Sequence, residues 1–121
     1  MAGKVGAKVG ATKRAEGPDG TPERAPPAVP RLDRVLHALS DPARLAIAAR
    51  LRRDGECSCA ALDGGRPKST MSHHFRVLRE AGVVETNAHG VTHLNRLRRE
   101  ALDAAFPGLL DAVLDAAGPV A

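Results

Sequence analysis

Residues 67–82 constrain the fold of this chain most, because they read as one helix with both ends marked. Ser69 or a neighbour can cap the N-terminus, and Gly82 stands where a residue in the left-handed conformation commonly ends a helix. Met71, Phe75 and Leu78 recur at positions i, i+4 and i+7, which is the spacing of a single apolar stripe. The pattern predicts a helix over residues 69–81 with one side facing a core.

The opposite side of this helix is short-polar and basic. It carries Ser69, Ser72, His73 and Arg76, and its one carboxylate, Glu80, lies at the far end. Such a face could enter the major groove of DNA, where its first turns would meet base edges and phosphates. The alternative is an ordinary amphipathic helix with a solvated outer face. The neighbouring segments decide between these two interpretations.

The segments before this helix predict three shorter helices. An apolar stripe indicates the first over residues 31–39. Asp41 is a good N-cap and Pro42 suits the first helical position, so a second helix is expected over residues 42–53. Ser58 can cap a brief third helix over residues 58–62, after a short extended link. Two helices joined by a glycine-containing turn, residues 63–67, have the sequence form of a helix-turn-helix.

After Gly82 the apolar period changes from helical to extended. Residues 83–87 and 91–97 predict two strands around a turn at residues 88–90, which together form a β-hairpin, or wing. Helices are expected again over residues 98–105 and 107–117, with a break at Phe106-Pro107. The predicted fold class is mainly α with a small β-hairpin, a winged helix-turn-helix that is dimeric through its N- and C-terminal helices.

The domain boundaries follow from composition. Residues 1–30 are rich in Gly, Pro, Ala and Lys and show no apolar periodicity, which predicts a disordered basic tail. Residues 31–117 form one DNA-binding and dimerisation domain, and residues 118–121 are a short tail. The N-terminal tail either touches DNA phosphates non-specifically or serves as a solubilising extension.

A small aliphatic core favours association with a second copy. Hydrophobic residues make up 43% of the chain, but only two residues are aromatic, both Phe. A core with little area per residue is marginal alone, so we expect a homodimer. The last helix follows a winged helix that is already complete, and packing onto its own chain is the alternative to a dimer contact. The predicted interface comprises Leu32, Val35, Leu36, Leu109, Leu110, Val113 and Leu114.

Several classes of function are disfavoured. No apolar run could span a bilayer and no signal peptide is evident, so a cytoplasmic, reduced protein without membrane association is expected. No catalytic constellation is present, so we predict that the chain is not an enzyme. The formal net charge of +4 permits nucleic-acid binding. A winged helix used for protein or RNA contact is the remaining alternative, but a protein-contact face should carry exposed apolar anchors.

Two spaced blocks, residues 38–45 and residues 69–84, resemble the ArsR/SmtB family of winged-helix repressors. Residues 97–111 resemble one branch of that family, and the match covers about residues 32–114. The resemblance implies a homodimeric transcriptional repressor that binds double-stranded DNA at an imperfect palindromic operator. Such repressors are often released by a metal, a metalloid or another signal. A constitutive repressor with no sensor site is the alternative.

The resemblance carries over onto the predicted recognition helix residue by residue. His74 is the histidine of the family's Ser-x-His pattern, and it is expected at the flank of the helix, where a hydrogen bond or phosphate contact would fix the helix. Arg79 is also peripheral, and His89 lies at the wing tip. The residues predicted to bind DNA are Lys68, Ser69, Thr70, Ser72, His73, His74, Arg76, Arg79 and His89.

Cys57 and Cys59 occur near the position where arsenic-sensing members carry a Cys-x-Cys, shifted by about one residue. In an extended segment two such thiolates could bind a soft metal or metalloid ion with a third ligand from elsewhere, although the chain has no third Cys. The alternatives are a reversible redox pair and two small buried side chains. No cofactor is otherwise implied. No zinc site is predicted on the last helices, which carry Asp103, Asp111 and Asp115 but no His.

Overall fold

The computed structural model describes residues 27–118, so most of the predicted N-terminal tail and the last three residues lie outside the described part. Within this part the chain forms a mainly helical winged helix-turn-helix with a small antiparallel sheet, as the sequence predicts. The elements are α1 (Leu32–Ala38), α2 (Pro42–Asp54), β1 (Cys57–Ser58), α3 (Cys59–Leu62), α4 (Lys68–Glu80), β2 (Val84–His89), β3 (Thr92–Leu97), α5 (Arg99–Ala105) and α6 (Leu109–Ala117).

Side-chain caps begin α2 and α3 where the sequence predicts them. The Asp41 carboxylate accepts the backbone N–H groups of Ala43 at 2.8 Å and Arg44 at 3.2 Å, and Pro42 occupies the first helical position. The Ser58 hydroxyl accepts the N–H of Ala61 at 3.1 Å. These bonds satisfy N–H groups that a helix leaves without intrahelical acceptors. They fix where the first helix of the helix-turn-helix, α3, begins.

The cap of α4 is a neighbour of Ser69 and not Ser69 itself. The cap residue is Pro67, which has an extended backbone and makes no side-chain cap hydrogen bond. Its carbonyl accepts the N–H of Met71 at 3.1 Å, so the helix already begins at Lys68. Ser69 therefore lies within the first turn with its side chain exposed.

The C-terminal end of α4 is held against the segment that precedes α1. Gly82 has a φ of 83°, as its predicted left-handed position requires. A β-carbon here would come within 3.1 Å of the Ala28 carbonyl oxygen and 3.2 Å of the Pro30 Cα. The Arg98 guanidinium donates to the Ala28 carbonyl and, at 3.3 Å, to that of Gly82. This contact anchors residues at the start of the described chain.

The turn of the wing is shorter than predicted, and the sheet gains a third strand. β2 and β3 pair from Val84 with Leu97 to His89 with Thr92, so the tip lies at Gly90 and Val91. β1 adds to the other side of β3 and gives the strand order β1-β3-β2. The sequence indicated only an extended link at this position, because a two-residue strand is too short to show an apolar period.

The core is one cluster that joins the helices to the base of the wing. It contains Phe75, 3% exposed, and is otherwise built from aliphatic side chains, methionine and cysteine. Val35, Leu110 and Leu114 belong to this cluster and are 1–3% exposed. The prediction that these three residues form a dimer interface is therefore corrected, because their surface is already buried within their own chain.

Ion pairs attach α6 to α2 and α5. The Arg52 guanidinium lies 3.0 Å from Asp111 and 2.9 Å from Asp115, and Arg99 also pairs with Asp111. Hydrogen bonds from Arg99 and Arg52 lower the pKa of Asp111. Exposed pairs of this kind contribute little to stability, so the buried leucines hold α6 while the ion pairs set its register. No helix among residues 27–118 is both long and apolar enough to cross a membrane.

Candidate nucleic-acid interface

The structure gives α4 the two faces that the sequence predicts. Met71, Phe75 and Leu78 are at most 3% exposed and pack into the core. On the other side an outward face, called here the α4 face, is exposed except at Ser72, which is partly buried. It consists of Lys68, Ser69, Thr70, Ser72, His73 and Arg76.

The α4 face is electrostatically suited to an anion. The first turn contains no acidic residue, and Lys68 stands at its start. The first N–H groups of a helix have no intrahelical acceptors and lie at the positive end of the helix dipole, so this end attracts phosphate. Arg66, which sequence reasoning missed, is exposed in the loop before α4 and adds a further positive charge. The sequence signal that could have identified Arg66 is its position two residues before Lys68.

His74 does not belong to the α4 face. It is only 9% exposed and lies between α4 and the start of α2. Its Nδ1 is 3.2 Å from Nη1 of Arg44, and its Nε2 is 4.0 Å from the Asp41 carboxylate. The prediction that His74 contacts DNA is corrected, because burial removes its ring from any phosphate. The expectation that it fixes the helix by a hydrogen bond agrees with its position.

Arg44 is a buried cation that sequence reasoning missed. It is 7% exposed, and all three of its guanidinium nitrogens have hydrogen-bond partners. Nε donates to the Ala38 carbonyl at 2.7 Å, Nη2 to the His37 carbonyl at 3.4 Å, and Nη1 to His74. The carbonyl oxygens at the C-terminal end of α1 are electronegative, which favours a cation here. Arg44 therefore links α1, α2 and α4.

Arg79 is turned toward the wing instead of outward. It is partly buried, and its Nη1 lies 3.5 Å from the Thr86 hydroxyl on β2. Arg79 therefore joins α4 to the wing, and its contact with DNA stays a prediction. Helical spacing places Arg79 at the edge of the polar face of α4, and in the structure the wing packs against that edge.

The wing presents a small polar surface with one apolar residue at its tip. His89 is exposed in the last pair of the hairpin, opposite Thr92. Val91 is fully exposed at the turn. His89 is exposed beside the tip and not on it, and its contact with DNA stays a prediction.

The two thiols flank the junction between β1 and α3. Cys57 is 7% exposed and Cys59 is partly exposed, and both are free thiols. Asn95 of β3, which is fully buried, donates from Nδ2 to the Cys57 carbonyl and to the Cys59 sulfur, each at 3.3 Å. Its Oδ1 accepts the Thr86 hydroxyl at 2.6 Å. Cys59 is thus connected to the wing through Asn95.

The residues around the thiols do not fit a metal centre. Among residues 27–118, no group of three or more His, Cys, Asp or Glu side chains is placed to hold a metal ion. A soft ion bound by two thiolates would need a further ligand. We derive no metal-dependent step from this site.

A helix-turn-helix, a paired wing and a basic face on the second helix define a winged helix-turn-helix DNA-binding protein. A family model described as a helix-turn-helix domain matches residues 39–87. The arsenical resistance operon repressor of Staphylococcus xylosus is 36% identical over 73 residues, which are 60% of this chain and 70% of that relative. The chain belongs to the ArsR family of winged helix-turn-helix transcriptional regulators, a family of DNA-binding repressors.

Two further similarities agree with this assignment. The HTH-type transcriptional regulator YceK of Bacillus subtilis, itself uncharacterized, is 38% identical over 80 residues, or 64% of this chain and 80% of that relative. A solution structure of the homodimeric winged helix-turn-helix DNA-binding domain of Mb0332 from Mycobacterium bovis is 29% identical. It superimposes with a TM-score of 0.57 over 69% of this chain and 78% of that domain.

Proposed function

We propose that this chain is a homodimeric repressor that binds an imperfect palindromic operator. In the proposed complex the α4 face lies in the major groove, and His89 contacts the DNA backbone beside that groove. The observation that carries the proposal is the α4 face, which is exposed, basic at its start and without an acid in its first turn. Two such helices in a dimer would read half-sites about one turn of DNA apart.

The residues of the α4 face divide by their chemistry. Lys68 and Ser69, at the helix entrance, suit phosphate oxygens. Thr70, Ser72 and His73 can donate to or accept from base edges in the groove. Arg76, two turns into the helix and exposed, has the forked donor set that pairs with guanine. The proposal assigns base readout mainly to His73 and Arg76.

The homodimer is proposed through the apolar surface that the core leaves uncovered. Leu32 and Leu36 are 48% and 45% exposed, and they lie one turn apart on the same side of α1. Leu109 and Val113 on α6 are partly buried against the core and complete the proposed interface. The similar domain from Mycobacterium bovis is homodimeric, which supports the same assembly here.

Replacement of Arg76 by alanine should weaken operator binding by at least roughly thirtyfold, because a lost base contact costs about 1–3 kcal/mol and the proposed dimer loses two of them. The measurement is fluorescence anisotropy on duplexes from upstream of the chain's own gene, at about 150 mM salt, since affinity depends steeply on salt. A scrambled duplex gives the non-specific affinity. The wild-type protein should prefer its operator by ~10³ or more.

Arg53→Ala is the matched control, because it removes the same charge from the exposed C-terminal turn of α2. It should leave the preference for the operator unchanged. Equal losses for the two variants would show that Arg76 acts only through net charge. Equal wild-type affinity for every upstream duplex and the scrambled one would contradict the proposed function.

We further propose that a thiol-reactive molecule, an electrophile or an oxidant, releases the repressor from DNA at Cys59. Cys59 is the more exposed thiol, and its sulfur accepts a hydrogen bond from a fully buried asparagine of the wing. Thr86 links that asparagine onward to Arg79 on α4. A group added to the sulfur would displace Asn95, and the displacement would reach α4 through bonds already present.

Cys59→Ser should abolish the response to iodoacetamide, whose carbon is attacked by the thiolate as iodide leaves. The alkylated wild-type protein should lose about tenfold in operator affinity, the cost of about 1.4 kcal/mol expected when a buried polar network is broken. Cys57→Ser is the control and should respond like the wild type, because Cys57 is buried. An undiminished response in Cys59→Ser would refute the assignment. No response in the wild type would indicate a constitutive repressor.

A further inference from the structure

Three helices meet at one polar cluster, formed by the buried Arg44 and His74 and the partly exposed Asp41. Arg44 is 7% exposed and His74 is 9% exposed, so both have left bulk water. The guanidinium donates to two carbonyls at the end of α1 and to Nδ1 of His74 on α4. The Asp41 carboxylate caps α2 and lies 4.0 Å from the other ring nitrogen of His74. The cluster therefore connects the recognition helix to the two helices beneath it.

The contact with Arg44 determines the protonation state of His74. A guanidinium can only donate, so Nδ1 of the ring must accept and carries no proton. The neutral ring then holds its proton on Nε2, on the side of Asp41. Proton uptake at Nδ1 would remove the acceptor and would place a second cation 3.2 Å from the guanidinium nitrogen.

The apolar packing of α4 against the core does not by itself fix the rotation of the helix. Met71, Phe75 and Leu78 hold the helix by apolar contact, which is non-directional and tolerates small rotations about the helix axis. The hydrogen bond between Arg44 and His74 has a preferred distance and angle. His74 is adjacent to His73, so any rotation at His74 moves the α4 face directly.

We propose that Arg44 and His74 are positioning residues for DNA recognition, which set the rotation of α4 through a hydrogen bond that requires neutral His74. The inference rests on the proposed role of the α4 face. It predicts that specific binding depends on the bond more than non-specific binding does, because a rotated helix still offers positive charge to phosphates.

The direction of the pH dependence follows from the surroundings of the ring. Burial lowers the pKa of His74 from its ordinary value of 6.5, the Asp41 carboxylate opposes this, and the positive charges of Arg44, His73 and Arg66 reinforce it. Because the pKa is lower in the folded protein, neutral His74 contributes fully above a pH of about 6.5. That contribution is lost as the pH falls from there through the lowered pKa.

The test compares operator and scrambled-duplex affinities of the wild type, Arg44→Met, His74→Leu and His74→Asn. At about pH 7.5, Arg44→Met and His74→Leu should lose roughly tenfold or more in operator affinity, as expected for a buried bond to a charged group, with non-specific affinity nearly unchanged. His74→Asn places an amide oxygen near the position of Nδ1 and cannot titrate, so it should stay within about threefold of the wild type.

The dependence of operator affinity on pH distinguishes a positioning role of His74 from a role in packing alone. As the pH is lowered from about 7.5 until His74 takes up a proton, which its lowered pKa places below the ordinary 6.5, the operator affinity of the wild type relative to His74→Asn should fall. His37→Asn, which removes an exposed histidine of α1, should keep the wild-type profile. Because the profile is measured on His74→Asn, it decides the matter even if His74→Leu or Arg44→Met fails to fold.

Two results would overturn the inference. One is a His74→Asn profile that coincides with that of the wild type. The other is a proportional loss of specific and non-specific affinity in folded Arg44→Met. Failure of the wild type to distinguish operator from scrambled DNA would instead contradict the proposed function, so the two failures are distinguishable.

Discussion

Exchange of Leu36 for glutamate should convert the proposed dimer into monomers and weaken operator binding by about a hundredfold or more. Leu36 is 45% exposed beside Leu32, so in a dimer its side chain would be covered by the partner. A carboxylate at that position would be buried without a counter-charge, which costs several kcal/mol. Each monomer would then bring a single α4 face to DNA and lose the second half-site.

Sedimentation velocity gives the oligomeric state, and anisotropy gives the operator affinity of the same preparation. The isolated domain should remain folded, because Leu36 is not part of its core, and circular dichroism checks this. Val29→Glu is a suitable control, since Val29 is 82% exposed ahead of α1 and gains the same charge. A Leu36→Glu protein that is still dimeric would place the interface elsewhere.

Leu78→Ala should reduce the free energy of unfolding by about 2–5 kcal/mol, the usual range for a buried leucine that leaves a cavity. Leu78 is fully buried on the core side of α4. Domains of this size have about 5–15 kcal/mol in total, so the variant should be only marginally folded. Because α4 carries the proposed DNA-binding face, the loss of stability should also reduce DNA binding.

Urea unfolding followed by circular dichroism measures this loss, since the chain has no Trp or Tyr to report by fluorescence. Val77→Ala, on the same helix but only partly buried, should cost about 1 kcal/mol, as is common for point substitutions. Similar effects of the two substitutions would indicate that α4 packs with a different side toward the core.

Local patterns predicted the elements that depend on neighbours in sequence. The stripe of Met71, Phe75 and Leu78 identified the recognition helix, Asp41 the start of α2 and Gly82 the end of α4. In each case the sequence signal lies within the same element or its immediate flanks. Helical periodicity and capping chemistry therefore contain the necessary information.

Features that depend on distant partners could not be predicted in this way. His74 is buried because Arg44, 30 residues earlier, supplies a donor at that point. β1 is a strand only because Asn95 of β3 lies opposite Cys57. The periodicity of α6 was correctly interpreted as apolar, but it cannot tell whether Leu110 and Leu114 face their own chain or a second one. Their burial in the core decides that question.

The contact between Arg98 and the carbonyl of Ala28 bears on where the cooperative folding unit begins. Composition places the domain border after Pro30. The Ala28 carbonyl, two residues earlier, nevertheless accepts a hydrogen bond from the Arg98 guanidinium, which also donates to the carbonyl of Gly82 at the end of α4. A chain trimmed at that border would leave the end of the recognition helix without one of its neighbours. Ala28 and Pro30 therefore lie against the domain, beside the residue that ends the recognition helix.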